Sequence, residues 1–188
     1  MNLKTSFILI GIIIAVIFSC TKPRVYPVEP KINFKEMSLG NMVDTLGNEV
    51  KRIVLTISVE DGDGDIGLPE NDTLPGFDTL GNKNLFIDIY NKVDGVFEKI
   101  ELLAPQYFKT YFLEPKGQDK TLTADFEVTM DFTGHKDVET GEFIPPFDYD
   151  TVYFEFYLYD RELHKSNIDF SPTIPADTLG LITNIDSQ

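Results

Sequence analysis

The feature that most constrains the fold of this chain is an alternation of apolar and polar residues with a period of two. It occurs in four segments: RIVLTISV (52–59), LFIDIY (85–90), ADFEVTMDF (124–132) and TVYFEFYLY (151–159). Successive side chains of a β-strand point to opposite faces of a sheet, so each segment would carry one buried and one wetter face. This pattern predicts an all-β domain built from antiparallel sheets.

Weaker patterns add strands near 32–38, 96–103, 107–113 and 166–173, and Asp94-Gly95 has the chemistry of a hairpin turn. About seven strands with inward alternation predict an antiparallel two-sheet sandwich with immunoglobulin-like connectivity over residues 31–188. A jelly roll or a small barrel is the alternative. Two connections, about 61–83 and about 133–150, are longer than most loops of a compact domain, which favours a functional role for them.

The first 19 residues have the pattern of an export signal. Lys4 precedes an uninterrupted apolar run of 12 residues, Phe7 to Phe18. This run is shorter than the roughly 20 residues that span a membrane and suits the core of a signal peptide. The run ends at IFSC, with the chain's only cysteine, and here the sequence resembles a bacterial lipoprotein precursor. An ordinary signal peptide or an uncleaved anchor is the alternative.

The lipoprotein resemblance implies cleavage before Cys20, lipidation of Cys20 with palmitate-type chains, and attachment to a membrane through that lipid. Residues 20–30 contain three prolines, which predicts a semi-rigid tether between the lipid and the domain. We expect an outer-membrane lipoprotein. No acidic run follows Cys20, which favours the periplasmic face and leaves surface exposure open.

The charge of the chain excludes some function classes. It has 16 Lys and Arg against 31 Asp and Glu, a net charge of −15 at pH 7. Nucleic acid is not an expected partner, because its phosphates need a positive surface. An enzyme is not expected either. The chain has no tryptophan to form a sugar platform, and its histidines, His135 and His164, fall in predicted loops.

The stretch VEDGDGDIG (59–67) contains the candidate site. Asp61, Asp63 and Asp65 alternate with glycines, and carboxylates at i, i+2 and i+4 are how calcium loops supply hard oxygen ligands. The loop resembles the first half of an EF-hand, dockerin or thrombospondin-type calcium loop. It departs from that pattern because the glycine stands at Gly67, one residue late, and because the twelfth position is Asp72 instead of glutamate. The resemblance implies ligation only. A phosphate loop is disfavoured, since three carboxylates would repel phosphate.

The predicted topology suggests how the ligand set is completed. If 51–60 and 151–160 are strands B and F, the loops that follow them lie at the same pole of the sandwich. Asp160 is then the first additional candidate, and Asp72 and Asp78 are weaker ones. The predicted cofactor is a structural calcium ion. A solvated acidic turn that binds no specific ion is the alternative.

The chain as a whole also resembles short Bacteroidetes-type envelope lipoproteins in which a DGDGDIG loop follows an early strand of a β-sandwich. The segments that carry this resemblance are IFSC, VEDGDGDIGL and YLYDRELHKSN. The resemblance supports location and fold and says little about activity. We expect an interaction or scaffold module with an envelope protein partner. The alternative is a protein that binds a glycan or peptide through Tyr153, Tyr157, Tyr159 and the long loops.

Overall fold

The computed structural model describes residues 26–102, 104–112, 114, 120–133, 135–136, 138–140, 143–144 and 151–175. The predicted signal peptide and Cys20 lie outside the described residues. Within the described part, no helix is long and apolar enough to cross a membrane.

The described residues form eleven strand segments. These are β1 (Lys31–Val43), β2 (Glu49–Asp61), β3 (Leu85–Val93), β4 (Val96–Lys99), β5 (Gln106–Phe108), β6 (Leu122–Thr133), β7 (His135–Lys136), β8 (Phe143–Ile144), β9 (Thr151–Leu158), β10 (Asp169–Phe170) and β11 (Ile174–Pro175). One sheet has the order β1-β2-β6 and the other β10-β9-β3-β4, with β11 on β9, β5 on β3 and β7-β8 as a separate pair. The first sheet thus has three strands and the second has six, four of them on its main path.

The predicted all-β, antiparallel two-sheet sandwich is confirmed. The strands of the first sheet take the places of A, B and E in an immunoglobulin-like sandwich, and those of the second take the places of G, F, C and C′. Consequently the connections after β2 and β9 are the B–C and F–G loops, which leave the sandwich at the same pole.

The core lies between the two sheets and follows the predicted alternation. The inward residues of β2 and β9 are fully buried: Ile53, Leu55, Ile57, Val59, Val152, Phe154, Phe156 and Leu158. Each such side chain stabilises the fold by about 1.5–3 kcal/mol relative to an exposed one. In β6 the alternation holds, but Ala124 and Phe126 are only partly buried, so one end of this strand lies at the margin of the core.

The weaker strands are shorter than predicted, except the first, which extends to 13 residues in β1. In the predicted strand 166–173 only Asp169–Phe170 pairs with β9. Two serine hydroxyls accept hydrogen bonds from β9 there, in place of backbone carbonyls. Ser166 Oγ accepts from the Leu158 N–H at 3.0 Å, and Ser171 Oγ accepts from the Phe154 N–H at 2.9 Å. The N–H groups of the same serines donate to the Leu158 and Phe154 carbonyls at 2.9 Å, so hydroxyl and backbone groups together satisfy β9 where the strand pairing is short.

One buried side chain breaks the apolar pattern of the interior. Lys51 lies two residues before Ile53 on β2, so its side chain points to the same inward face, and it is 2 % exposed. Its Nζ has no hydrogen-bond partner among the described residues. Desolvation by burial lowers the pKa of this ammonium group, because removing a cation from water disfavours its charged form.

The long connection from 62 to 84 is ordered by its own apolar anchors. Ile66, Leu68 and Phe77 are buried to 1 % exposure or less. Leu68 also forms a parallel bridge with Tyr111. These contacts hold the first third of the connection, where Asp63 and Asp65 follow Asp61 of β2, against the end of the sandwich.

Candidate metal centre

Three carboxylates converge at the end of β2. Asp61 is the last residue of the strand and is fully buried, and Asp63 and Asp65 follow on the connecting loop. One oxygen from each lies within 4.8 Å of the others. The Oδ1 atoms of all three are buried and have no hydrogen-bond partner among the described residues. Buried carboxylate oxygens without partners are costly, so this arrangement is suited to a cation.

The loop curls because of one local hydrogen bond and one glycine. The Asp65 N–H donates to Asp61 Oδ2 at 2.9 Å, and Gly64 has a φ of +67°, a conformation that glycine adopts without steric cost. The two features turn the chain back on itself, so that Asp61, Asp63 and Asp65 face a common point.

A second glycine of the loop is required by a neighbouring segment. The Gly62 N–H donates to the Pro27 carbonyl at 3.0 Å. A Cβ at Gly62 would lie 2.5 Å from the carbonyl oxygens of Tyr26 and Pro27, closer than side chains approach backbone. The last residues of the predicted tether therefore pack directly on the aspartate loop.

The late glycine has a structural reason. Gly67 has a φ of +96°, and a Cβ there would lie 2.4 Å from the Tyr111 carbonyl oxygen. The next residue pairs with that segment: the Leu68 N–H donates to the Thr110 carbonyl at 2.8 Å, and the Phe112 N–H donates to the Leu68 carbonyl at 3.3 Å. Gly67 thus lets the loop pass close to 110–112, a contact that the familiar calcium loops do not need.

Asp160 lies beside the cluster, as the topology predicts. It follows β9 and is fully buried, and its charge raises the pKa values of both Asp61 and Asp65. It stays outside the group of three whose oxygens all lie within 4.8 Å of one another. Its Oδ1 accepts from the His164 N–H at 2.8 Å, and its Oδ2 lies 2.8 Å from His164 Nδ1.

The remaining predicted ligand, Asp72, is exposed and does not belong to the group of three, and Asp78 is exposed as well. The structure thus brings Asp61, Asp63, Asp65 and Asp160 to one pole and leaves Asp72 and Asp78 on the surface of the long connection.

The electrostatics of the cluster are those of crowded, desolvated carboxylates. Burial and then the charge of Asp63 raise the pKa of Asp61 to about 6. Burial and then the charge of Asp160 raise the pKa of Asp65 to about 7. Without a cation, Asp61 would be half protonated at about pH 6 and Asp65 at about pH 7. A divalent cation would reverse this preference, because it favours the ionised carboxylates.

Two residues of the F–G loop were not predicted as part of the site. The Arg161 Nε–H donates to the Gly67 carbonyl at 2.9 Å, and its guanidinium lies 3.5 Å from the centroid of the Phe112 ring. This bond confirms that the two loops are neighbours. His164 is held by Asp160, and that hydrogen bond and charge raise its pKa. The i, i+4 spacing of Asp160 and His164 was the available signal for His164, whereas the sequence offers none for Arg161.

The outward face of β9 carries Tyr153 and Tyr157 of the alternative prediction, and Tyr159 follows the strand with its ring edge-on to Tyr157. Tyr153 stacks on Tyr90 with ring centroids 5.0 Å apart and an interplanar angle of 2°. Tyr157 stacks on Phe86 at 5.2 Å and 11°, and the Lys165 ammonium lies 3.8 Å from the Tyr157 centroid. Ring faces that a sugar would need are therefore in contact with one another and with Lys165.

No protein-family model, no curated protein and no solved structure matches this chain. The site is therefore characterised by the chain's own chemistry: three convergent carboxylates, a fourth beside them, and two loops that Arg161 joins.

Proposed function

We propose that this protein is a lipid-anchored β-sandwich module of the cell envelope in which a structural calcium ion orders the loop after β2. The observation that carries the proposal is the convergence of three buried Oδ1 atoms, those of Asp61, Asp63 and Asp65, which have no hydrogen-bond partner in the described part of the chain. Hard carboxylate oxygens on a glycine-rich loop suit calcium, and the group of three contains no imidazole or thiolate of the kind zinc prefers.

A structural role suits the magnitude of the expected binding energy. Extracellular calcium modules bind with dissociation constants of about 10⁻⁴ to 10⁻³ M. At roughly 1 mM calcium, binding to the folded state alone contributes about 0.4–1.4 kcal/mol. That is enough to order a loop that Leu68 and Arg161 already position, and it is too little for a sharp switch. We propose no catalytic role.

The position of the loop supports a link between the cation and the anchor. Gly62, between two of the proposed ligands, binds the Pro27 carbonyl, so the chain enters the domain at the cation site. With Cys20 lipidated, an ordered loop would fix how the domain leaves its tether. The proposed setting is the periplasmic face of the outer membrane, with a role as an interaction or scaffold module for an envelope protein partner.

The alternative, binding of a glycan or peptide through the tyrosine face, stays a prediction. The stacking of Tyr153 on Tyr90 and of Tyr157 on Phe86 favours a packed sheet surface over a binding platform.

Thermal unfolding of the full chain in detergent, followed by circular dichroism, tests the cation. About 5 mM calcium in place of EDTA adds about 1–2.3 kcal/mol for the dissociation constants above, which corresponds to an increase in Tm of roughly 2–9 °C for a chain of this size. Asp63→Asn should abolish the increase. Asp94→Asn is the matched control: it removes the same charge at an exposed hairpin turn whose φ of +49° suits asparagine.

Superimposable curves in EDTA and calcium would contradict the proposal, and so would an increase that survives Asp63→Asn. A magnesium series in parallel separates a calcium site from a general response to divalent ions, because magnesium demands a stricter octahedral geometry.

A further inference from the structure

The two outer edges of the three-stranded sheet differ in how they are protected. On β1, Asn167 closes the edge at Ile32: its Oδ1 accepts from the Ile32 N–H at 2.8 Å, and its Nδ2 donates to the Ile32 carbonyl at 2.9 Å. Asp169 Oδ2 accepts from the Phe34 N–H at 2.6 Å. The ladder also shifts register between Phe34 and Glu36. Side-chain caps and bulges of this kind prevent another strand from pairing.

The caps on β1 also determine which groups β6 presents. Ile32 uses both backbone groups on Asn167, so its pair with Val59 of β2 is not hydrogen-bonded. Hydrogen-bonded and non-hydrogen-bonded pairs alternate along an antiparallel ladder, and the N–H and C=O of one residue point to the same neighbouring strand. The backbone N–H and C=O of Val59 therefore point towards β6. The partner of Val59 on β6 is Ala124, whose N–H and C=O point back towards β2.

The register between β2 and β6 runs without a shift from Val50–Thr133 to Asp61–Leu122. The alternate residues of β6 must then turn their N–H and C=O groups away from β2. These residues are Thr123, Asp125, Glu127, Thr129 and Asp131, and all five are exposed.

Among the described residues, this edge has neither the side-chain caps nor the register shift found on β1. In the described part of the chain β6 pairs with β2 alone, and from residue 123 to residue 131 it has no bulge, proline or lysine. The opposite sheet ends instead in short strands, two residues each in β10 and β11, with Pro175 in the latter. A long, regular edge without caps or bulges is a template for an added strand.

The side chains around this edge indicate what kind of strand would fit. On the inner face Leu122, Ala124 and Phe126 are only partly buried, so an apolar side of an added strand would cover them. On the outer face Asp125 and Asp131 are already paired, with Lys35 and Arg52 respectively. Glu127, between them, has no ion pair within the described residues.

We propose that the β6 edge accepts an extended segment of a partner protein in which apolar residues alternate with Lys or Arg. The apolar side would extend the core over Phe126, and a basic residue would lie beside Glu127. A second copy of this chain fits less well, because the net charge of −15 would bring further carboxylates to Glu127. The inference rests on the proposed scaffold role and is independent of the cation.

Two synthetic strands test the proposal. Each has about nine residues and is N-methylated along one edge so that it cannot self-associate; one alternates valine with lysine and the other valine with glutamate. Binding to the full chain in detergent is measured by fluorescence anisotropy. The lysine strand should bind about tenfold more tightly than the glutamate strand, or better, and Glu127→Lys should reverse this preference.

Thr129→Pro tests the edge itself. The Thr129 N–H faces away from β2, so proline there removes an edge donor and keeps the β2–β6 ladder. Binding of the lysine strand should weaken about tenfold or more, while Thr129→Ala, which keeps the N–H, should bind like the parent chain. If the proline variant does not fold, the reversal by Glu127→Lys decides the question.

Three results would overturn the proposal: equal binding of both strands, binding that Thr129→Pro leaves unchanged, or sedimentation showing a dimer of the chain that this substitution dissociates. The calcium-dependent increase in Tm, measured on the same samples, keeps the two proposals separate. Loss of strand binding with that increase intact refutes the edge alone, and loss of the increase with binding intact refutes the cation alone.

Discussion

Replacing Gly67 with alanine should destabilise the protein far more than the same replacement at Gly81. Both residues have positive φ, +96° and +62°, but a Cβ at Gly81 would meet nothing within 4 Å. Gly81→Ala therefore isolates the cost of holding alanine in a left-handed conformation, about 1–2 kcal/mol. At Gly67 the added carbon would also lie 2.4 Å from the Tyr111 carbonyl, so segment 110–112 must move.

The additional cost can be worked out from the contacts that this movement disturbs. The Leu68 N–H bond to Thr110 and the Phe112 N–H bond to Leu68 are each worth about 0.5–1.5 kcal/mol. Together with the conformational term, Gly67→Ala should cost about 2–5 kcal/mol.

Urea unfolding in EDTA, followed by far-ultraviolet circular dichroism, gives both free energies without a contribution from calcium. If the free energies of unfolding of the Gly67→Ala and Gly81→Ala variants fell by the same amount, the close passage of the loop past Tyr111 would be refuted.

Three further predictions concern the free energy of unfolding measured by the same urea titration. The folded pKa values of Asp61 and Asp65, about 6 and about 7, lie above the unfolded value of about 3.9. In EDTA the free energy of unfolding should therefore fall by on the order of 1–3 kcal/mol as the pH rises from about 4 to about 7. A free energy of unfolding that rises with pH over this window in EDTA would contradict the raised pKa values. Calcium should stabilise the protein more at about pH 8 than at about pH 5, since it binds ionised carboxylates. Phe77→Ala should lower the free energy of unfolding by about 3–5 kcal/mol, because Phe77 is fully buried. The control Phe97→Ala, at a residue that is 36 % exposed, should lower it by about 1 kcal/mol or less. Equal losses would show that Phe77 does not anchor the connection. Lys51→Met should raise stability by about 1–3 kcal/mol, because it removes a buried ammonium that has no hydrogen-bond partner within the described residues. A loss of stability would show that this ammonium is compensated.

The sandwich was predictable where burial follows a strict period of two. The β2 and β9 segments carry four inward apolar residues each, and no other element competes for that pattern. The prediction was wrong about the length of the later strands. Hydroxyls of Ser166 and Ser171 replace backbone carbonyls as acceptors for β9 N–H groups, and neither serine differs from a loop serine in the sequence.

The site was predictable in part. The spacing of Asp61, Asp63 and Asp65 indicated a common cluster, and strand topology indicated Asp160. The contact of Arg161 with Gly67 and the packing of Pro27 on Gly62 depend on segments far apart in the chain, and no local pattern encodes them. The outward N–H and C=O groups of β6, unpaired in the part of the chain that the structure describes, likewise follow only from the ladder register together with the Asn167 cap on β1.

Isothermal titration of the full chain with calcium tests the central claim most directly. One calcium ion should bind per chain, with a dissociation constant of about 10⁻⁴ to 10⁻³ M, in the parent protein and in Asp94→Asn. No saturable heat should be seen in Asp63→Asn. The absence of saturable heat in the parent chain, or unchanged binding after Asp63→Asn, would contradict a cation held by Asp61, Asp63 and Asp65.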